Sequence, residues 1–189
     1  MSTPKTRWPL GHAEVVAREL QQLLESACER IEVAGSIRRR KPDVGDIELL
    51  CIPKIESDRD LLGDVATNYS LLDQRVLDLL YQCVLDYRVS ARGTRTFGPL
   101  NKLLVHRPSG IPVDIFSTSS ENWGMALVVR TGPKEFNIAM MARFQRLGLR
   151  GHAYGGVSTA DGTEIPCPTE ETVFNLLRLA YLPPEEREG

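Results

Sequence analysis

The chain has 189 residues, a formal net charge of −2, 42% hydrophobic and 25% charged residues, a composition that indicates a globular protein and excludes a disordered one. Its length suits one domain, or one domain with a small lobe. No apolar run approaches the roughly 18 residues of a membrane span, and the N-terminus lacks the apolar stretch of a signal peptide. We therefore expect a protein without membrane contacts that is cytoplasmic, or associated with a nucleoid or a viral particle.

The near-neutral total hides a strong segregation of charge. Residues 44–86 carry a net charge of −6, whereas residues 87–107 carry +5 and residues 130–154 carry +4. A basic surface is the usual footprint of a nucleic-acid-binding protein. The pattern therefore leaves such a partner open, although the total charge alone argues against it.

The cysteines form no CxxC pair and lie far apart, which disfavours a zinc site and a disulfide framework. We expect reduced and mostly buried thiols. The four residues are Cys28, Cys51, Cys83 and Cys167.

The first part of the chain alternates helical and strand-like patterns. Apolar residues recur at intervals of three and four between Val16 and Cys28, as on one face of a helix, and prolines mark the ends of later segments. The predicted elements are a helix over residues 13–30, a strand over 31–35, a short basic segment from Gly35-Ser36 to Pro42, and a strand over 44–52 before Pro53.

The middle of the chain predicts helix and then two strands. An apolar stripe at helical spacing predicts that residues 57–86 are mostly helical. Two strands are expected around residues 97–106 and 111–117, joined by an Arg-Pro-Ser-Gly turn. The stripe consists of Leu72, Val76, Leu79, Leu80 and Cys83.

From Glu121 onward the pattern predicts short helices and a hairpin, with glycine and proline at the breaks. The sequence is therefore predicted to be α+β, with a mixed sheet and its helices over residues 1–118 and a smaller helix and hairpin lobe over 119–189. The predicted elements of the lobe are a helix in the NWGMALVV segment, a break at Thr131-Gly132-Pro133, a helix over 134–147 capped by Gly148, a hairpin turning at Asp161-Gly162, and a helix over 171–180 capped by Thr169.

Three acidic residues indicate a site for a cation. Asp46 and Glu48 are two residues apart on a predicted strand, so both side chains leave the same face. Asp114 alternates with apolar residues on another predicted strand. If the strands are neighbours, the carboxylates converge and repel one another, and a divalent cation such as Mg²⁺ removes that repulsion.

The segment that begins at Gly35 indicates a phosphate site. A Gly-Ser pair that opens a helix presents free backbone N–H groups and the positive end of the helix dipole. The hydroxyl of Ser36 and the guanidinium of Arg39 can add hydrogen bonds to a phosphate. The specific feature is the combination of this segment with the acid pair on the next strand.

GSIRRRKPDVGDIELLCIP resembles the signature of DNA polymerase beta type nucleotidyltransferases. The VDIF, TGPKEFN and GHAY segments resemble the third-carboxylate strand and the thumb of family X DNA polymerases. The resemblance implies a minimal form with a palm over residues 1–118 and a thumb over 119–189, without the lyase domain and fingers of larger members.

The resemblance also implies roles for individual residues. Asp46, Glu48 and Asp114 would be catalytic and would hold two Mg²⁺ ions, with Mn²⁺ as a possible substitute. The residues that would bind the incoming nucleotide are Gly35, Ser36, Arg39, Thr131, Gly132 and Asn137. Because X-Pro is where cis bonds are accessible, the Gly132–Pro133 bond is predicted to be cis.

The implied substrates are a dNTP and primer-template or gapped DNA, bound by a monomer. Two basic groups could neutralise DNA phosphates. The first group, before Asp114, consists of Arg88, Arg92, Arg95, Lys102 and Arg107. The second group, after Asp114, consists of Arg130, Lys134, Arg143, Arg146 and Arg150. The residues predicted to contact DNA are Arg95, Lys102, Arg143 and Tyr154.

The sequence departs from the family pattern at several positions. Glu48 stands where the family usually has Asp, and Val129-Arg130 where it often has Tyr-Phe. Pro112 replaces a basic residue that often neighbours the third carboxylate. Met141 and Ala153 replace charged residues near the template.

These observations favour a DNA-directed DNA polymerase that fills short gaps. A template-independent nucleotidyltransferase with the same metal site is the alternative, since the aromatic pair and the template-side charges are missing. A non-catalytic nucleic-acid-binding module is the third hypothesis, and the three intact carboxylates disfavour it.

Overall fold

A computed structural model describes residues 6–59, 65–90 and 93–188; Arg92 of the first basic group lies outside them. The elements are β1 (Trp8–Pro9), α1 (Leu10–Glu25), β2 (Cys28–Val33), α2 (Gly35–Arg38), β3 (Asp43–Val44), β4 (Ile47–Pro53), β5 (Ile55–Arg59), β6 (Val65–Ser70), α3 (Leu71–Tyr81), β7 (Leu85–Tyr87), β8 (Asn101–His106), β9 (Pro112–Ser117), α4 (Trp123–Thr131), α5 (Lys134–Arg146), β10 (Leu149–Gly151), β11 (Val157–Thr159), β12 (Glu164–Ile165), α6 (Glu170–Leu176) and a 3₁₀ turn (Pro184–Glu186).

The central sheet has five strands in the order β2-β4-β9-β8-β7. Strands β4 and β9 run parallel, and the other neighbours run antiparallel. The parallel register places Glu48 directly opposite Asp114. The predicted mixed sheet, and with it the α+β class, is confirmed.

One face of this sheet is covered by α1 and α3. The apolar stripe of α1, including Val16, Leu20 and Leu24, is buried against the sheet, as are Leu72 and Val76 of α3. Helix α1 begins directly after a proline and ends earlier than predicted, because the residues from Cys28 onward pair with β4.

The opposite face is covered by α4, which joins the two parts of the chain. Leu127 and Trp123 pack against Leu50 of β4 and Phe116 of β9. The other side of α4 forms a second core with α5 and α6. At Gly124 the helix runs so close to α6 that an added Cβ would collide with the backbone of Thr169.

The lobe that follows has the predicted breaks. The Gly132–Pro133 bond is cis, and Gly148 at the end of α5 has φ +74°. Strands β10, β11 and β12 form a small antiparallel sheet whose last turn contains Asp161 and Gly162. Thr169 caps α6, since its hydroxyl accepts a hydrogen bond from the Thr172 N–H at 3.2 Å.

The predicted helix over residues 57–86 is found only as α3 (Leu71–Tyr81): residues 60–64 of that span lie outside the described part of the chain, and the described residues before 71 are strands. Strands β5 and β6 form an antiparallel hairpin, in which Tyr69 Oη donates to Glu56 Oε2 at 2.9 Å and Ser57 Oγ donates to Asn68 Oδ1 at 2.6 Å. The apolar stripe begins only at Leu72, so the residues before it have no buried helical face. Helix α3 starts after Ser70, whose hydroxyl accepts from the Asp73 N–H at 3.2 Å.

The cysteines are free thiols, as predicted. Cys28, Cys51 and Cys167 are buried, and Cys83 is exposed beyond the end of α3. Within the described ranges, none of the helices combines the length and the apolar character that crossing a membrane would require.

Candidate active site

The three predicted carboxylates lie at the start of the parallel strand pair. Glu48 and Asp114 are register partners on β4 and β9. Asp46 directly precedes β4, whereas the sequence predicts it in the same strand as Glu48. Its charge is still close enough to act on both other carboxyl groups.

The site carries more negative charge than its surroundings compensate. Burial, together with the charges of Asp46 and Asp114, raises the pKa of Glu48 to about 8. Burial also raises the pKa of Asp114 to about 6, although the ion pair with Arg88 opposes the shift. Such shifts are typical of functional sites in clefts.

The short helix α2 faces Glu48. Gly35 has φ +63°, and a Cβ there would collide with Glu48 Oε2, so this position requires glycine. The atoms Ser36 Oγ and Arg39 Nε are buried, and neither has a hydrogen-bond partner among the described residues. Unpaired buried polar atoms are costly unless a ligand satisfies them.

Arg38 and Arg39 both donate hydrogen bonds to the last residue of α4. Arg39 Nη1 donates to the carbonyl oxygen of Thr131, and Arg38 Nη1 donates to the Thr131 hydroxyl at 2.9 Å. Arg38 also forms a bidentate pair with Glu170 at 2.8 Å for both bonds. Arg187, which is fully buried, donates to the same carboxylate at 2.8 Å.

Glu170 is therefore ionised in the interior. Burial alone would raise its pKa, but the hydrogen bonds from Arg38 and Arg187 lower the pKa below the usual value for a glutamate. This triad ties the turn that bears Ser36 and Arg39 to α6 and to the C-terminal segment.

A cleft of about 710 Å³ opens between α2 and α5. Arg39 and Glu48 line its polar end, and Ile138 and Met141 line its apolar end. Between them, Asn137 donates from Nδ2 to the Val129 carbonyl at 2.7 Å, while its buried Oδ1 has no partner within the described chain. One end of the cleft thus offers side-chain groups that can bind a phosphate, together with the amide of Asn137, and the other end offers an apolar wall.

A second cavity, of about 470 Å³, lies on the other side of the acid cluster. Trp8, Asp46, Arg88, Pro112 and Asp114 line it. The carboxylates therefore stand between two cavities, with Glu48 facing the first and the two aspartates facing the second.

Two arginines at this site were not predicted from the sequence to be site residues. Arg88, from the segment after β7, places Nη2 2.7 Å from Asp114 Oδ1. Arg130 lies with its guanidinium carbon 3.6 Å from the ring centroid of Phe116 and 5.1 Å from that of Tyr154. Their positions depend on tertiary contacts, and the sequence signals were the missing basic residue at Pro112 and the arginine at position 130 in place of an aromatic residue.

The residues predicted to contact DNA have different environments. Lys102 is fully buried, with Nζ 2.7 Å from Asp73 Oδ1, which does not fit a DNA contact. Arg143 donates to the Leu177 carbonyl at 2.6 Å, at the end of α6. Arg95 is exposed, and Tyr154 is 45% exposed.

The chemical nature of the three carboxylates fits a divalent cation, whereas their present side-chain positions do not form a closed set of ligands. Three carboxylates supply the oxygen ligands that Mg²⁺ prefers. In the described part of the chain, however, no three His, Cys, Asp or Glu side chains are grouped so that they could hold an ion. Asp114 turns towards Arg88, and Glu48 Oε2 lies against Gly35.

The C-terminal part of the chain matches a known family. Residues 126–188 match the family model described as DNA polymerase beta thumb. DNA polymerase lambda of Rattus norvegicus is 34% identical over 86 residues, which cover 40% of this chain and 15% of that protein. The chain thus matches well under a fifth of the length of this curated relative.

Solved structures share the fold over nearly the whole chain. Leishmania infantum polymerase beta in its ternary P/T complex gives a TM-score of 0.73 at 19% identity, covering 97% of this chain and 77% of that one. Its ternary gap complex gives 0.76 at 18%, covering 97% and 71%. These matches confirm the predicted fold.

Proposed function

We propose that this family X polymerase-like chain is a DNA-directed DNA polymerase, a nucleotidyltransferase that adds dNTPs to a primer 3′ hydroxyl by two-metal transfer and fills short gaps. The observation that carries the proposal is the position of the carboxylates between two cavities, one of which is lined by Arg39, whose buried Nε has no partner among the described residues. A transfer between two substrates requires that the reacting atoms of both are held next to each other.

In this reaction the primer 3′ oxygen bonds to the α-phosphorus of the dNTP, and the bond from that phosphorus to the bridging oxygen breaks, so pyrophosphate leaves. Ser36 and Arg39 would bind the leaving phosphates, and their unpaired atoms support that role. Asp114, with a pKa of about 6, would be mostly ionised at neutral pH and would accept the proton of the hydroxyl.

Asp46, Glu48 and Asp114 would hold two Mg²⁺ ions, or Mn²⁺ in their place. Burial is the main cause of the raised pKa of Glu48, and the charges of Asp46 and Asp114 add to it; a divalent cation would neutralise those charges, which supports the site. Bound ions would stabilise the attacking and leaving oxygens of the displacement.

The substrates proposed are a dNTP and primer-template or gapped DNA, bound by a monomer. Polymerase beta structures described as ternary P/T and gap complexes share this fold, which supports the proposal. We also retain the division into a palm over residues 1–118 and a thumb over 119–189. Arg95 and Tyr154 stay as proposed DNA contacts because both are exposed.

The test is primer extension on recessed and gapped templates of defined sequence, with Mg²⁺ or Mn²⁺. We expect additions that follow the template, and loss of activity in the Asp114→Asn variant. The matched control is Asp161→Asn, which changes an exposed acid in the turn of the distant hairpin and should leave extension unchanged.

Two outcomes would overturn the proposal. Additions that ignore the template would favour the template-independent nucleotidyltransferase. No addition with either metal by the folded wild type would favour a non-catalytic nucleic-acid-binding module.

A further inference from the structure

Arg88 occupies the place beside Asp114 where a cation would be expected. Its Nη2 lies 2.7 Å from Asp114 Oδ1, and its side chain is 30% exposed towards the second cavity. The two groups form an ion pair at that distance, although Asp114 Oδ1 accepts no well-aligned hydrogen bond from the described residues. A metal ion that uses the same oxygen has to displace Arg88 or share the ligand with it.

Arg130 brings a second positive charge to the same cluster. Phe116 follows Asp114 by two residues on β9, so their side chains leave the same face of the sheet, and the guanidinium of Arg130 stacks on the Phe116 ring at 3.6 Å. Its Nη2 also donates to the Ala153 carbonyl at 3.2 Å. The arginine is fixed there, and its charge acts on both Glu48 and Asp114.

These two arginines offset much of the negative charge that attracts a cation. When all three carboxylates are ionised, as ligation of a cation requires, they carry −3, and the guanidinium groups of Arg88 and Arg130 offset two of those charges. A divalent cation entering the cluster is repelled by both arginines, and the effect is large where burial lowers the local dielectric. Arg130 lies where the family pattern often has an aromatic residue, so this charge is a feature of the present chain.

We propose that Arg88 and Arg130 are resident counter-ions of the acid cluster that compete with divalent cations for its carboxylates. The inference rests on the proposed metal site. It assigns to both side chains control of the metal affinity of the free protein.

The test is a titration of the full-length protein with Mn²⁺ alone, followed by the electron paramagnetic resonance signal of free Mn²⁺. The Mn²⁺ binding that is lost in the Asp114→Asn variant is assigned to the acid cluster. We expect Arg88→Met to tighten this binding about tenfold and Arg130→Met about threefold, because each removes a nearby positive charge. Arg130→Lys keeps the charge and should stay within about twofold of the wild type.

The matched control is Arg150→Met, which removes an exposed charge on β10 and should leave Mn²⁺ affinity unchanged. Circular dichroism melting establishes which variants are folded. Folded Arg88→Met and Arg130→Met proteins that bind Mn²⁺ no more tightly than the wild type would overturn the inference and leave the metal site standing. A wild type and variants that all fail to bind Mn²⁺ at the cluster would overturn the metal site as well.

Discussion

The carboxyl group of Glu48 lies where burial and two neighbouring acids act together. Its pKa of about 8 in the folded protein exceeds the usual 4.5. The neutral form therefore contributes stability that is complete below about pH 4.5 and is lost as the pH rises through 8. The metal-free protein should become less stable over this interval.

Replacing Glu48 with Gln removes that dependence. At pH 8.5 in EDTA, we expect Glu48→Gln to raise the free energy of unfolding by about 1–3 kcal/mol, and at pH 5 to leave it nearly unchanged. Urea unfolding at the two pH values measures the difference. The control Glu164→Gln changes an exposed carboxyl on β12. Equal effects of Glu48→Gln at both pH values would contradict the prediction.

Individual site residues were predictable where a local motif defines them. The Gly-Ser turn and the acid pair predicted Arg39 and Glu48, which both line the first cleft, and Gly35, which lies against Glu48. Lys102 was not predictable, because its sequence gives no sign that Asp73 and the sheet enclose it. A local pattern determines which groups are present, and the tertiary fold determines which of them face solvent.

Elements were predictable where a periodic apolar face extends over their whole length. Helices α1, α4 and α5 have such faces and were predicted with shifts of a few residues at their ends. The β5–β6 hairpin lacks a buried face, and cross-strand polar contacts such as Tyr69 to Glu56 hold it instead. Such contacts join residues 11 and 13 positions apart, which no helical or strand periodicity reveals.

The link between α2 and α6 depends on Glu170. Replacing it with Gln leaves the fully buried Arg187 and the partly buried Arg38 without a counter-charge. We expect Glu170→Gln to lower the free energy of unfolding by about 3 kcal/mol at pH 7. Because the pKa of Glu170 is lowered, this contribution is present above the usual pKa of a glutamate and disappears as the pH falls through the lowered value.

Chemical unfolding of Glu170→Gln beside Glu171→Gln measures this effect. Glu171 is the exposed neighbour on the same helix turn, so its variant should stay within about 0.5 kcal/mol of the wild type. If the two variants lost the same stability, the triad would not be the source.

Fewer basic side chains are available to bind DNA than the two basic groups of the sequence indicate. Lys102 is paired and buried, Arg143 binds the end of α6, and Arg88 and Arg130 face the acid cluster. Among the described residues of these groups, the other basic side chains are the ones available for phosphates. We therefore expect modest DNA affinity that depends strongly on salt.

Fluorescence anisotropy with a labelled gapped duplex at 50 and 150 mM salt tests this expectation. A few phosphate contacts should reduce the affinity at least about tenfold over that range. Arg95→Ala should weaken binding without changing the melting temperature, whereas Arg143→Ala should lower the melting temperature. Affinity that is nearly constant between the two salt concentrations would count against DNA as the partner.

The contacts at Thr131 have an evolutionary consequence. Two successive arginines donate to this one residue, Arg38 to its hydroxyl and Arg39 to its carbonyl, and Arg38 is also committed to Glu170. A change at position 38 removes the donor of a buried hydroxyl and two of the hydrogen bonds to a buried carboxylate at once. Among homologues, positions 38, 131 and 170 should therefore vary together, whereas position 39, which meets only the backbone at 131, should vary independently of the side chain there.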